Sequence, residues 1–474
     1  INYDYYGKYL VEFSGRYDGS SRFSSKDRWG FFPSASVGWR LSEESFLSSA
    51  RSWLSNLKVR YSYGNLGNQQ VGYYDYLRTI NIGTQSYLFG DKLPSSASIS
   101  APVSSNLTWE TVEHHNIGLD ASFFNNRLTF TGEAYIRNTK DMLTAGISLP
   151  ATYGTSSPRM NSADMQTKGY ELSLGWQDMF KLAGKPFSYQ VNLTFNDYTS
   201  EITKFNSPEK AFAKGYYEGM RIGEIWGYHI DGLFATDEEA ASYEVDQRRV
   251  NDIINSSSGA LKVLHAGDLR FADLDGDNII STGENTVDNP GDRRIIGNSE
   301  PRYQYGANLA FQWYGFDFSV FFQGIGRMDW YPAHEAELFW GPFNRAYATF
   351  LPKNFLEQCW SEENPNAYFP RPRAYVAYDN MGDQCRELTA KNDRYLQNIG
   401  YCRLKNLTVG YTLPKNWTRK AGIDMLRVYF SGENLACWSG IKTDYVDPEQ
   451  ARRGGDLKVY PWQKTFTFGI NVNF

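Results

Sequence analysis

The sequence predicts an all-β chain: a transmembrane antiparallel β-barrel of about twelve strands with long extracellular loops. Three observations carry this. In the last ten residues Phe466, Phe468, Ile470, Val472 and Phe474 fall on one face of a strand, and Thr465, Thr467, Gly469, Asn471 and Asn473 on the other. The same alternation recurs along the chain. From the third strand onward, the connections alternate between long and short.

Composition agrees. The 474 residues are 16% aromatic and 41% hydrophobic, with 34 Tyr, 42 Gly, a formal net charge of -5 and a mean hydropathy of -0.53. No run of about 18 apolar residues exists, which excludes a helical membrane protein and a hydrophobic signal core. Barrels stay open, because dyad alternation keeps average hydropathy low. The mild acidity argues against nucleic acid as a partner, and no Pro/Ser-rich linker divides the chain. The sequence begins at Ile1 without Met or leader. A barrel has to be exported, so the expectation is the C-terminal part of a longer precursor.

The first strand is expected over Lys8 to Asp18, with Tyr9, Val11, Phe13 and Tyr17 on one face. Phe31 to Leu41 and Leu57 to Gly64 repeat the pattern, and the link Ser42 to Asn56 has the mixed spacing of a short helix. A hairpin follows: Ile117 to Phe123, a tight turn at Asn125-Asn126, then Leu128 to Ile136. Its other face carries Asp120, Thr129, Thr131, Glu133, Tyr135 and Arg137, which suit a wet lumen better than a sandwich core, where each would need a partner. Further pairs turn at Ala183-Gly184, at Tyr314-Gly315 and through Pro414 to Gly422 before the closing strand. Short periplasmic turns and long external loops would place 68 to 107, 139 to 167, 199 to 302, 327 to 398 and 438 to 463 outside, and Phe474 in the periplasm.

Particular runs resemble a family. Asn2-Tyr3-Asp4-Tyr5 through Arg22-Phe23, Tyr61 to Gln69, Asn116 to Asp120, Ile296-Gly297-Asn298 with Pro301, Gly315 to Gly324 and Arg403 to Tyr411 are similar to the SusC/RagA-type TonB-dependent transporters of Bacteroidota, in collinear order. The resemblance implies that residues 1 to 474 are about the last twelve of twenty-two strands. It implies that a plug and N-terminal barrel segment are supplied elsewhere, with contact to the TonB complex through that part. It also implies a SusD-like surface lipoprotein as lid, and import of oligosaccharides, or of oligopeptides as in some relatives. The location implied is a Gram-negative outer membrane, with lipid against the apolar faces. A passive porin and a surface glycan-binding β-protein are the competing readings.

The sharpest local motif is Asp273 to Glu284, inside the 199 to 302 insertion. Asp273, Asp275 and Asp277, a carbonyl at Ile279, Ser281 and Glu284 reproduce the ligand spacing of a calcium loop, so calcium is the one cofactor expected. Position six, normally Gly, is Asn278, the next most tolerant of a left-handed backbone. An ion-free Asx turn is the alternative. The run Met220 to Tyr228 is expected either to meet the lid or to fold on itself, and Thr236 to cap a short helix starting at Asp237-Glu238-Glu239.

No catalytic constellation is evident, so the chain is not expected to be an enzyme. Five His occur, and the neighbours His114 and His115 would point to opposite faces of a strand. Of four Cys, Cys359 and Cys385 share a loop, whereas Cys402 and Cys437 fall on partner strands where they could face each other; disulfides and free thiols are both open. Trp330, Tyr331, Phe339, Trp340, Phe343, Trp360 and Tyr368 crowd one loop. Exposed, they would suit sugar stacking or, preferentially, docking of the lid.

Overall fold

The computed structural model describes residues 1–100, 102–104, 107–145, 152, 157–250, 263–334, 336–344, 351, 353–373, 376–377, 386–443, 445–453, 459–460 and 462–474. Thirteen strands form one sheet, each hydrogen-bonded to its neighbours in chain order. They are β1 (Asn2–Tyr5), β2 (Tyr9–Gly19), β3 (Trp29–Arg40), β4 (Leu54–Asn68), β5 (Glu110–Phe123), β6 (Leu128–Ala145), β7 (Arg159–Leu182), β8 (Lys185–Lys204), β9 (Arg302–Trp313), β10 (Phe316–Arg327), β11 (Tyr401–Thr412), β12 (Met425–Ser439) and β13 (Thr465–Asn473). The expected twelve are present. β1 is the addition: Tyr6 and Gly7, at φ 54° and 66°, make a two-residue left-handed turn that folds Asn2–Tyr5 back on Tyr9–Glu12. The turns at Asn125-Asn126, Ala183-Gly184 and Tyr314-Gly315 likewise have positive φ throughout. The Ser42–Asn56 link holds two 3₁₀ segments, Leu41–Glu43 and Ser45–Ser52.

Two compact units divide the chain. In the first, residues 1–175 and 198–221, register aligns the apolar side chains into rows. Val11 pairs with Val37, Val37 with Tyr61, Tyr61 with Ile117 and Ile117 with Ala134. A hairpin of Ile80–Thr84 and Ser95–Ile99 stands outside the main sheet. A small core of Phe23, Phe32, Val71, Leu107 and Trp109 lies where the loops leave the strands.

In the second unit, residues 176–197 and 222–474, one row runs Tyr189, Phe311, Phe318, Val409, Phe430, Phe468 across six strands. The Phe311 and Phe318 rings stack at 5.0 Å, and Phe430 meets Phe468 at 5.2 Å. Phe468 is nevertheless 81% exposed and Ile470 67%. Cross-strand pairing gives such rows their order, but their outer surface finds a favourable medium only in lipid. Ile470→Arg is therefore expected to cost about 2–4 kcal/mol of folding free energy in a bilayer, read by denaturant titration in vesicles; an unchanged midpoint would place this face away from lipid.

Candidate functional site: the polar wall and the loop body

The faces opposite the apolar rows carry the ionisable chemistry. In the first unit Gly38, Arg60, Gly118 and Glu133 lie in register across β3 to β6. Arg60 Nε donates to Asp120 at 3.1 Å and its Nη2 pairs with Glu133; Lys58 Nζ lies 3.7 Å from Asp120, and Asn116 donates to Glu133 at 2.6 Å. A Cβ on Gly118 would sit 2.6 Å from the Arg60 guanidinium carbon, so only glycine leaves the room for this network. In the second unit Arg427 grips Asp317 with two bonds of 2.8 and 2.5 Å. Arg403 holds Asp447 at 2.6 Å and Glu449 at 3.1 Å, and Lys405 holds Glu449 at 2.8 Å. These walls are polar and internally paired, which keeps charge on a face that fits no packed core. His114 and His115 do point apart: His114 lies against Tyr135, and His115 bonds the Tyr61 hydroxyl at 2.8 Å.

The long insertions of the second unit fold into each other. Tyr228 donates its N–H to the Lys391 carbonyl at 2.8 Å, and Asp393 donates back to the Tyr228 carbonyl at 3.1 Å. Small two-stranded pairings, Glu224–Gly227 with Arg294–Asn298 and Ile230–Leu233 with Leu269–Phe271, frame a common core. Met220 to Tyr228 thus folds into this framework over its last residues. Thr236 caps the helix Asp237–Ala241, accepting the Glu239 N–H at 3.1 Å.

The loop aromatics require a correction. Trp340 and Phe343 are completely buried and Phe339 nearly so in one core, against which the half-buried Trp330, Tyr331 and Tyr368 pack; Trp360 is nearly buried in a smaller cluster with Ala266 and Ala367. Phe369 stacks between Phe355 and Tyr395 in the middle of the larger core. The four buried rings offer no open face to a sugar or a lid, because they help the insertions exclude water together. The Tyr368 and Tyr395 phenols are pushed up by that burial, Tyr368 to about 12.

The acidic loop keeps part of its expected arrangement. Gly276 and Asn278 are left-handed, at φ 80° and 63°. Asp273 accepts the N–H groups of Gly276 at 2.7 Å and Asn278 at 2.9 Å; Asp277 accepts that of Ile279 at 2.7 Å, and the Ser281 hydroxyl that of Gly283 at 3.0 Å. The carboxylates of Asp273 and Asp275 converge with a third from Asp292, one oxygen of each within 4.8 Å of the others. Glu284, though at the expected spacing, is exposed and outside that group. Asp292 arrives because Gly283 and Gly291, both left-handed, let the chain turn back until Asp292 accepts the N–H groups of Ser281 and Leu274. Burial pushes the Asp292 carboxyl up, and Asp275 and Asp273 add to it; at Asp273 burial pulls upward, but three backbone N–H groups hold it below the usual range. No pattern in the sequence marks Asp292.

Cys402 pairs with Trp438, and Cys437 with Arg403. The two thiols are one residue out of register, so they lie on opposite faces and do not meet; both are free. Cys385 lies outside the described residues.

An exposed apolar face backed by a paired polar one defines a membrane β-barrel protein. The chain belongs to the TonB dependent receptor-like beta-barrel family, whose model matches residues 1–435; that family resides in the outer membrane. It is 30% identical to TonB-dependent receptor P3 of Formosa agariphila, covering all of this chain and 45% of that protein. It is 28% identical to TonB-dependent receptor SusC of Bacteroides thetaiotaomicron, covering all of this chain and 43% of that one. A solved structure of the RagAB peptide transporter matches in fold over all of this chain and 47% of its own, with a TM-score of 0.71 at 24% identity. The SusC/RagA resemblance read from the sequence stands, and the chain spans less than half the length of the curated relatives it matches.

Proposed function

We propose that this chain is the C-terminal barrel portion of a TonB-dependent importer of SusC/RagA type, taking up oligosaccharides at the outer membrane of a member of the Bacteroidota. The remaining barrel and plug, the TonB complex and a SusD-like lipoprotein lid would be its partners. The observation that carries the reading is the similarity to part of SusC over the whole of this chain, joined to an ion-paired wall behind the lipid face. Oligopeptide import is the second reading, favoured by the fold shared with a peptide transporter. Intact mass of the complex in mild detergent tests the assembly: a plug and a bound lipoprotein support the importer, and a chain soluble without detergent overturns it. Growth of a deletion strain separates the cargoes. Loss on oligosaccharides alone supports glycan import, and loss on peptides alone overturns it.

Calcium is proposed for the acidic loop, with Asp273, Asp275 and Asp292 as its carboxylate donors. The donor set fits a hard oxygen-seeking cation, and neutralising three converging acids would stiffen the loop body. Millimolar calcium is expected to raise the protease resistance of that body by roughly 1–3 kcal/mol, and Asp292→Asn to abolish the gain. Equal resistance with chelator and with calcium would refute the site.

A further inference from the structure

The loop that follows β4 forms, with the start of β7, a groove of about 780 Å³ in the first unit, within the range of ligand sites. Its floor is firm. Val71 and Leu107 line it and belong to the small core with Phe23 and Trp109. Arg22 donates to the Val71 carbonyl at 2.6 Å and lays its guanidinium 4.4 Å from the centre of the Tyr73 ring. One face of Tyr73 is thus supported, while the side chain remains 75% exposed. Tyr74, 65% exposed, is held at φ 63°, a strained conformation for a residue with a Cβ, and the Leu77 N–H bonds its carbonyl at 2.8 Å. Asp75 caps the turn by accepting the Gly72 N–H at 2.8 Å, leaving its second oxygen for other donors.

Arg159, the first residue of β7, stands across this groove, exposed and with no ionic or hydrogen-bond partner among the described residues. Its strand is fixed two residues on: Asn161 accepts the Thr108 N–H at 3.0 Å and donates to the carbonyls of Thr108 at 3.0 Å and Asp141 at 2.6 Å. A free guanidinium on a rigid base is suited to bidentate capture of a carboxylate or sulfate. The Tyr73 ring, backed by Arg22, and the exposed Tyr74 ring beside it suit the weakly positive C–H face of a sugar. A peptide would instead seek free backbone donors along a strand edge or apolar side-chain pockets. Along this wall the N–H groups of five lining residues are already committed: Val71 to Gln69, Gly72 to Asp75, Leu77 to Tyr74, Thr79 to the Ser100 hydroxyl, Ser100 to Thr79.

We infer that this groove is a capture site for an acidic oligosaccharide, with Tyr73 and Tyr74 as stacking platforms and Arg159 as the receptor of the sugar's oxyanion. The inference rests on the glycan-import reading and narrows its cargo. The test uses the complete receptor complex in detergent. Isothermal titration is run with oligogalacturonate, a sulfated carrageenan oligosaccharide, neutral maltoheptaose and oligoglutamate. At least one acidic oligosaccharide is expected to bind at least about tenfold more tightly than maltoheptaose, and which one separates carboxylate from sulfate. Arg159→Gln should remove that margin, and Tyr73→Ala with Tyr74→Ala should remove binding while the barrel keeps its heat-resistant migration. Equal binding of acidic and neutral sugars, or an unchanged Arg159→Gln variant, overturns the site and leaves glycan import standing. Binding of oligoglutamate alone overturns the glycan reading itself.

Discussion

Replacing Arg373 with methionine is expected to destabilise the loop body by about 3–5 kcal/mol at pH 8. Asp268 and Glu387 are both fully buried. One guanidinium nitrogen of Arg373 serves both, at 2.8 Å and 2.7 Å. Arg373 Nη1 adds a bond to Asp268 at 3.3 Å, and backbone N–H groups contribute too: His265 donates to Asp268 at 2.9 Å and Leu269 to Glu387 at 2.5 Å. Without Arg373, two carboxylates would share a dry site with no cation. The intact trio already strains at neutral pH, since burial first and Glu387 second raise the Asp268 carboxyl to about 7 against the pull of Arg373. A raised acid favours the folded state at low pH. Its contribution is complete below the ordinary aspartate value, near 3.8, and is lost as pH climbs through about 7, a swing of at most roughly 4 kcal/mol. Asp268→Asn should therefore flatten the pH profile and Arg373→Met steepen it, with the double variant recovering much of the loss. Pulse proteolysis of the loop body between pH 5 and pH 8.5 reads all three. Equal lability of Arg373→Met at both ends would show that the acids are not held charged together.

That trio illustrates what the sequence withholds. Alternation made the sheet legible, since a side chain's face follows from the parity of its position, and the tight turns announced themselves through Asn125-Asn126, Ala183-Gly184 and Tyr314-Gly315. Strand ends were less legible. β6 and β7 run to Ala145 and from Arg159, well inside the expected 139 to 167 loop, because polar pairs such as Gln166 with Asn138 and Thr144 with Ser162 continue the ladder beyond the apolar rows. β1 escaped notice because four residues make too short a pattern. The loop body depends on contacts such as Asp268 with Arg373 and Tyr228 with Lys391, more than a hundred residues apart, which no local period records. The acidic loop lies between these cases. Its turns were readable from Asp273 to Ser281, whereas Asp292 joins only through a return of the chain.

The same limit governs the crowded aromatics, which composition alone assigned to sugar stacking or lid docking and the structure places in hydrophobic cores. Trp340→Ala is the variant that separates burial from docking. The indole donates to the Ala333 carbonyl at 2.9 Å and meets Phe339 edge-on at 4.8 Å and Tyr395 at 5.5 Å. Removing a fully buried tryptophan forfeits its transfer energy and leaves a cavity within the core that both insertions share, a loss of about 3–5 kcal/mol. The expected result is new protease cleavage within 328–398 and within 222–301, while the sheet keeps its heat-resistant migration on gels. The two insertions should open together, since both contribute to one core, residues 327–398 the larger share. A docking residue would behave in the opposite way: its truncation would leave the cleavage pattern intact and release only a bound partner. Cleavage confined to one insertion would mean that the two fold independently, and that the hydrogen bonds between Tyr228, Lys391 and Asp393 follow their folding rather than cause it.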